Sequence, residues 1–321
     1  MLVRIVAIGG GTGLSVLLRG LKSSQLDITA VVTVGDDGGS SGRLRRELGL
    51  LPPGDFRSCI AALADDEALM TQLLQYRFGE GALNGHSLGN LLLAAMANVT
   101  GSFEQAVLET SRVLNIRGKI MPSTLESVAV CAEVQEGEQA VGRSRAVKGE
   151  SRVGKPGRSI RRVFLEPGAP PAYPGAVAAI LKADLIVYGP GSLYTSVLPN
   201  LLVPGIRQAV RASSAVKVYV CNIAAQTGET EGYTIEDHAE ALENNAGLGL
   251  LQYVVANNHW PLGEQTAYVY PGSVDQMQYA LILADLVDVQ RPWRHDSAKL
   301  GHVLLNFMRG ELPTAYKLSQ C

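Results

Sequence analysis

A chain of 321 residues, 46% hydrophobic and 18% charged with a net charge of −2, has the composition of a globular protein able to bury a large core. Near-neutral charge excludes a bulk electrostatic pull toward nucleic acid or a membrane surface, and an aromatic content of 6% leaves little for base-stacking platforms. Four cysteines (Cys59, Cys131, Cys221, Cys321) with no C-x-x-C pair argue against a structural zinc site and a secreted disulfide scaffold.

The first apolar run, "LVRIVAI", stops at Gly9 and reads as a buried parallel strand. It is far shorter than a signal h-region, and no stretch of about 18 apolar residues could span a bilayer, so a cytoplasmic location without membrane insertion is expected. "GLSVLLRGLKSS" carries helical spacing and "DITAVVTV" is a second strand, which completes a βαβ unit. "DFRSCIAALADDEALMTQLLQYRF" holds one or two helices, followed by "SLGNLLLAAMANV" and "SFEQAVLETSRVL"; Ser102 and Gln105 have capping-box spacing for the last.

Residues 127–165 break this rhythm with three β runs, "SVAVCAEV", "QAVGRSRAV" and "IRRVFLEP". Eight basic residues (Arg143, Arg145, Lys148, Arg152, Lys155, Arg158, Arg161, Arg162) face one acid there, Glu150, which suits a solvated face or a partner patch. The α/β alternation then resumes through "GAVAAILKA", "DLIVYG", "PGIRQAVRAS", "KVYVCNI", "TIEDHAEALENN" and "LQYVVAN", and ends in the amphipathic "DSAKLGHVLLNFM". The expected fold is one α/β domain over 1–321. It is doubly wound and Rossmann-like, with a mostly parallel sheet, helices on both faces and a β-rich insertion at about 127–165.

Two glycine-bearing strand ends stand out. "GGGTG" (Gly9, Gly10, Gly11, Thr12, Gly13) lies between the first strand and helix, where backbone N–H groups and a helix N-terminus bind anions. It is neither a full G-x-G-x-x-G, because Leu14 stands at the third glycine, nor a Walker loop, because no G-K-[ST] follows. "YGPGSLYTSVLPN" offers Gly189, Gly191 and Ser192 after another buried strand, and Asn222 ends a third.

"GDDGGSSGR" (Asp36, Asp37, Gly38, Ser40, Ser41, Arg43) follows the second strand. Its aspartates could hold ribose hydroxyls, take part in a Mg²⁺ site, or simply form an Asx turn. In "NGHSLGN", Asn84, His86 and Asn90 either face the same crevice or cap a helix. "RHD" adds Arg294 as a further cation; scattered histidines give no H-x₃-H metal spacing.

Together "GGGTGLSVLLRGLK", "VVTVGDDGGSSGRLR", "LPPGDFRSCIAAL", "NGHSLGN", "GPGSLYTSVLPNLLVPGI" and "RHD" resemble the bacterial gluconeogenesis factor family, related to the 2-phospho-L-lactate transferases of coenzyme F420 synthesis. The resemblance covers nearly the whole chain. It implies a cytoplasmic protein with a role in cell shape and growth on gluconeogenic carbon, binding a nucleotide-type ligand such as a UDP-sugar. The transferases carry a P-D-x-D-T run that helps hold a divalent metal; here the matching stretch is "PGDFRS", with Asp55 at the first position but Arg57 at the second. A guanidinium replaces a cation ligand with a phosphate ligand.

The expected ligand is therefore a nucleotide sugar or dinucleotide, bound without an obligatory cofactor. Arg43, Arg57 and Arg294 would neutralise its diphosphate. The alternative is a phosphodiester-forming transferase with Asp36, Asp37 and Asp55 around Mg²⁺. A homo-oligomer without nucleic-acid partners is expected, the basic insertion serving protein contacts.

Overall fold

The structure, a computed structural model, describes residues 2–22, 25–64, 68–136, 144–155, 158–261, 266–272 and 279–311. Strand β1 (Val3–Gly9) buries Ile5, Val6, Ala7 and Ile8 in succession. Neighbouring side chains on a strand point to opposite faces, so a run with no exposed member needs cover on both sides. Helix α1 (Gly11–Leu21) turns Leu14, Leu17, Leu18 and Leu21 inward as part of that cover. β2 (Leu26–Val32) then returns parallel to β1, with Ile5 beside Ile28 and Gly9 beside Val32.

Five helices intervene before the next strand: α2 (Gly39–Leu48), α3 (Gly54–Leu63), α4 (Ala68–Gln75), α5 (Leu88–Thr100) and α6 (Phe103–Val113). Ser87 caps α5 by accepting the Asn90 N–H at 3.3 Å, and Ser102 caps α6 through the Gln105 N–H at 3.1 Å. β3 (Lys119–Pro122) joins the outer edge of β2. At four residues it is too short to show a period, and the sequence reading does not mark it.

The insertion is a separate antiparallel sheet of β4 (Ala129–Glu136), β5 (Ser144–Lys148) and β6 (Arg158–Glu166), in the order β5-β4-β6, with a short helix α7 (Glu150–Val153) between β5 and β6. Residues 137–143, including Arg143, lie outside the described residues. Val130, Ala132, Val134, Val163 and Leu165 join the same core as the main sheet. Part of the basic charge is spent within this sheet: Lys148 pairs with Glu166 at 2.6 Å and Arg162 with Glu133 at 2.7 Å.

The main body continues through α8 (Pro174–Lys182), β7 (Leu185–Tyr188), a single π turn (Leu193–Val197) running into α9 (Leu198–Leu201), and α10 (Pro204–Ala212). β8 (Val216–Val220), α11 (Ile235–Ala246), β9 (Tyr253–Asn257), β10 (Ala280–Ala284) and α12 (Ser297–Arg309) complete it. The seven strands lie in the order β10-β9-β8-β7-β1-β2-β3, and all neighbours run parallel. Among the described residues no single helix is long and apolar enough to cross a membrane.

This order places the site. From β1 the chain winds outward through β2 and β3, whereas from β7 it winds the other way through β8, β9 and β10. The direction reverses between β1 and β7, and connections leaving adjacent strands on opposite faces open a crevice at their carboxyl ends. Those ends are Gly9 and Gly189, so close that a Cβ on Gly9 would lie 3.8 Å from the Gly189 Cα.

Candidate functional site

A cavity of about 410 Å³ occupies this switch point. Its lining comes from five strand ends or insertions: Gly10, Gly11, Thr12 and Gly13 after β1; Pro190, Gly191 and Ser192 after β7; Asn222 to Gln226 and Glu229 after β8; Trp293, Arg294 and His295 after β10; and Glu150 from α7.

The glycine loop is shaped by what surrounds it. Gly10 is extended and α1 begins at Gly11 with φ +64°, with no side-chain cap. The first-turn amides of a helix have no intrahelical acceptor, so an uncapped start at a cavity offers donors and a positive dipole end to an anion. A Cβ on Gly10 would fall 2.5 Å from Asp55 Oδ2, and one on Gly13 would fall 2.3 Å from the Pro190 carbonyl oxygen. Glycine is thus required at these positions for loop-to-loop packing as well as for any ligand.

Amides and hydroxyls brace the two loops. Asn200 Nδ2 donates to the Gly9 carbonyl at 3.0 Å and the Ser196 carbonyl at 2.8 Å. Asn222 Oδ1 accepts the Gly191 N–H at 3.2 Å, and its Nδ2 donates to Gln226 at 3.3 Å. Ser192 donates to the Glu229 carboxylate and meets Thr195 Oγ1 at 2.6 Å. Burial pushes the Glu229 carboxyl above its ordinary range. Asn200→Ala removes both tethers of the first loop from a fully buried position, so a loss of about 1–3 kcal/mol is expected in chemical denaturation.

The third wall carries the cation. His295 is buried, its Nε2 lies 3.0 Å from the Cys221 carbonyl oxygen, and burial lowers its pKa to about 4. A neutral His295 donating to that carbonyl pins the segment over the end of β8. Asp296 caps α12 through the Lys299 N–H at 2.9 Å. Directly before these anchors Arg294 lines the cavity, and no side chain among the described residues pairs with its guanidinium. The indole of Trp293, half exposed, lines the cavity beside it.

Of the residues marked from the sequence, Gly10, Gly11, Thr12, Gly13, Gly191, Ser192, Asn222 and Arg294 line this cavity, and Gly9 and Gly189 are the turns behind it. The remainder lie beyond its wall. Asp36 Oδ1 accepts the Gly38 N–H at 2.8 Å in an Asx turn, and Asp37 Oδ1 accepts the Ser151 N–H at 2.9 Å from the insertion. Ser41 accepts the Gly54 N–H at 3.1 Å. Ser40 lies 3.0 Å from His86 Nδ1 and accepts from Asn90 at 3.1 Å. Arg43 donates to the Asn84 carbonyl at 2.6 Å, and Arg57 donates to Ser58 at 3.2 Å. Burial, with Arg43 close by, holds His86 below its ordinary pKa.

Asp55 joins the two regions. Its carboxyl is pushed up to about 7, first by burial and then by Asp36, while the Gly11 amide and Arg57 oppose the shift. The Mg²⁺ that the family suggests has a poor fit here. One oxygen of each of Asp36 and Asp37 is committed to a backbone amide, Arg57 occupies the second motif position, and no cluster of three or more carboxylate, histidine or cysteine ligands forms among the described residues.

The sequence reading missed Glu150, Gln226, Glu229 and Trp293. The rule that ligands sit beyond strand ends marks the stretch after "KVYVCNI", and hence Gln226 and Glu229; Trp293 adjoins "RHD". Nothing local marks Glu150, which reaches the cavity only because the insertion folds back over it.

Residues 5–303 match the family model described as 2-phospho-L-lactate transferase CofD. The gluconeogenesis factor of Halalkalibacterium halodurans is 52% identical over 314 residues, covering 94% of this chain and 95% of that protein. The gluconeogenesis factor of Bacillus subtilis is 53% identical over 256 residues, covering 79% of this chain and 78% of its own length. A crystal structure of a UPF0052 family member from Bacillus halodurans superposes with a TM-score of 0.88 at 45% identity, covering 95% of this chain and 99% of that one. With the parallel sheet, the switch-point loops and this breadth of similarity, the chain belongs to the 2-phospho-L-lactate transferase CofD family, alongside its members named gluconeogenesis factors.

Proposed function

We propose that the protein is a cytoplasmic, non-catalytic regulator that binds a nucleotide sugar, of the UDP-sugar class, and links its level to cell shape and growth on gluconeogenic carbon. The observation that carries this reading is the meeting around one cavity of two glycine-bearing strand ends and Arg294, whose guanidinium pairs with no side chain among the described residues. The uncapped α1 start and Arg294 suit a diphosphate, while the cavity volume is within the range of small-ligand sites. Calorimetric titration with UDP-glucose, GDP, NAD and ATP, each with Mg²⁺ and with chelator, tests it. The expected result is binding of UDP-glucose that survives the chelator. Arg294→Ala should weaken it about 10- to 150-fold, the usual 1.5–3 kcal/mol of a hydrogen bond to a charged group. Robust nucleoside triphosphatase activity would sink the reading.

A transferase reading is favoured by the family description and by Asp55 lying against the first loop. It requires phosphodiester product from an activated donor and strictly ion-dependent turnover. The Asp-x-Arg sequence at Asp55 and Arg57 weighs against it, and no product is expected.

A further inference from the structure

The insertion enters the site through one segment, residues 149–155, wedged between the two halves of the crevice. On one side, Asp37 accepts the Ser151 N–H at 2.9 Å, and a Cβ on Gly149 would fall 2.3 Å from Asp37 Oδ2. On the other side, a Cβ on Gly228 would fall 2.5 Å from the Lys155 backbone, and one on Gly154 would fall 3.0 Å from Glu229 Oε1. The wedge is therefore held by backbone contacts to the loop after β2 and the loop after β8. Its first helical residue, Glu150, lines the cavity on the side of the loop after β2, with Oε2 at 3.9 Å from the Cβ position of Gly38. Among the described residues no hydrogen bond reaches that carboxylate.

The cavity is polarised as a result. One side presents first-turn amides and Arg294; the other presents the Glu150 carboxyl, whose proton affinity is raised first by burial and then by Asp36, Asp55, Asp37 and Glu229. A purely anionic ligand that filled this space would meet repulsion at its far end. A ligand with an anionic centre and a hydroxylated end satisfies both sides, because a carboxylate accepts hydrogen bonds that sugar hydroxyls can donate.

Resting on the nucleotide-sugar reading, we propose that Glu150 of the insertion is the residue that sets specificity, accepting hydroxyls of the sugar beyond the diphosphate and rejecting a third phosphate at the same place. Recognition of the sugar then belongs to the insertion and recognition of the diphosphate to the main sheet. Once the Glu150 carboxyl is ionised, above its raised titration range, the rejection of a nucleoside triphosphate comes from like charge, a repulsive element of the kind that specificity needs alongside attraction.

The test measures dissociation constants for UDP, UTP and UDP-glucose with chelator present, well above the value of about 7 to which the Glu150 carboxyl is raised so that it is ionised, in wild type, Glu150→Ala and Glu150→Gln. A thermal melt of each variant checks folding, and the glutamine variant keeps an acceptor of the same shape should the alanine variant fold poorly. In wild type UDP-glucose should bind tightest and UTP weakest. Glu150→Ala should weaken UDP-glucose about tenfold or more while UDP changes less than about twofold. Both variants should bind UTP more tightly than wild type. Equal loss of UDP and UDP-glucose would show a structural role and overturn the assignment, as would an unchanged UDP-glucose affinity with unchanged discrimination against UTP. If wild type binds neither UDP nor UDP-glucose, the nucleotide reading fails and this assignment falls with it, a result that needs no variant to detect.

Discussion

Gly13→Val is expected to lower stability by about 3 kcal/mol or more and to abolish ligand binding together. A Cβ at this position would fall 2.3 Å from the Pro190 carbonyl oxygen and 2.7 Å from the Gly191 nitrogen. Both obstacles are backbone, so no side chain can swing aside. Relief requires separating the loop after β1 from the loop after β7, and that separation would also slacken the Asn200 and Asn222 tethers. Overpacking a tight core site costs about 1–3 kcal/mol where neighbours yield, and more where they do not. Denaturant titration reads the stability and calorimetry the affinity. A variant with wild-type stability and unchanged UDP-glucose affinity would show that the two strand ends do not form one rigid floor.

The second large effect lies in the pH dependence of stability, through Asp55. Its carboxyl is raised from 3.8 to about 7, with burial the first cause and Asp36 the second. A raised carboxyl means that between these values the folded protein holds a proton that the unfolded chain has released. The proton-linked contribution is complete below pH 4 and is lost as pH rises toward 7. Each pKa unit corresponds to about 1.4 kcal/mol, so the loss between pH 5 and 7 is about 3 kcal/mol at most.

His295 slopes the other way. Its lowered value, about 4, means that stability falls as pH drops below the ordinary histidine range. The comparison that isolates Asp55 is therefore Asp55→Asn against wild type across pH. The variant, whose amide oxygen can still accept the Gly11 N–H, should gain stability relative to wild type as pH rises from 5 to 8, by about 3 kcal/mol at most. A difference constant with pH would show that Asp55 titrates normally. Glu150, raised to about 7 by burial first and by Asp36 and Asp55 next, titrates in the same window and is coupled to Asp55. The same series on Glu150→Gln separates the two.

The contrast between Arg294 and Arg57 shows how far a sequence of this kind can be read. Both stand as candidate cations for the diphosphate, and both are arginines near acidic residues in the chain. Arg294 lines the cavity because His295 and Asp296 anchor the residues after it to β8 and α12. Arg57 lies on α3 near Asp55 and Asp36, half-buried and outside the cavity lining. No local pattern distinguishes them, since the difference comes from which strand each follows and where that strand sits in the sheet. The aspartate pair makes the same point. Asp36 forms the Asx turn that its glycine neighbour allows, a local outcome, whereas Asp37 spends its oxygen on Ser151, a residue 114 positions away.

By itself the sequence determined the parallel α/β class, the position of both glycine-bearing strand ends and the presence of a β-rich segment beside the parallel sheet. These follow from hydrophobic period, glycine at strand ends and loss of helical spacing, all properties of a few adjacent residues. Only the tertiary structure decided that β10 lies at one edge and β3 at the other, that the winding reverses between β1 and β7, and that Glu150 crosses from the insertion into the cavity. Those outcomes depend on contacts between residues far apart in the chain, whose energy appears only when the loops between them close and the sheet stacks its strands in one particular order.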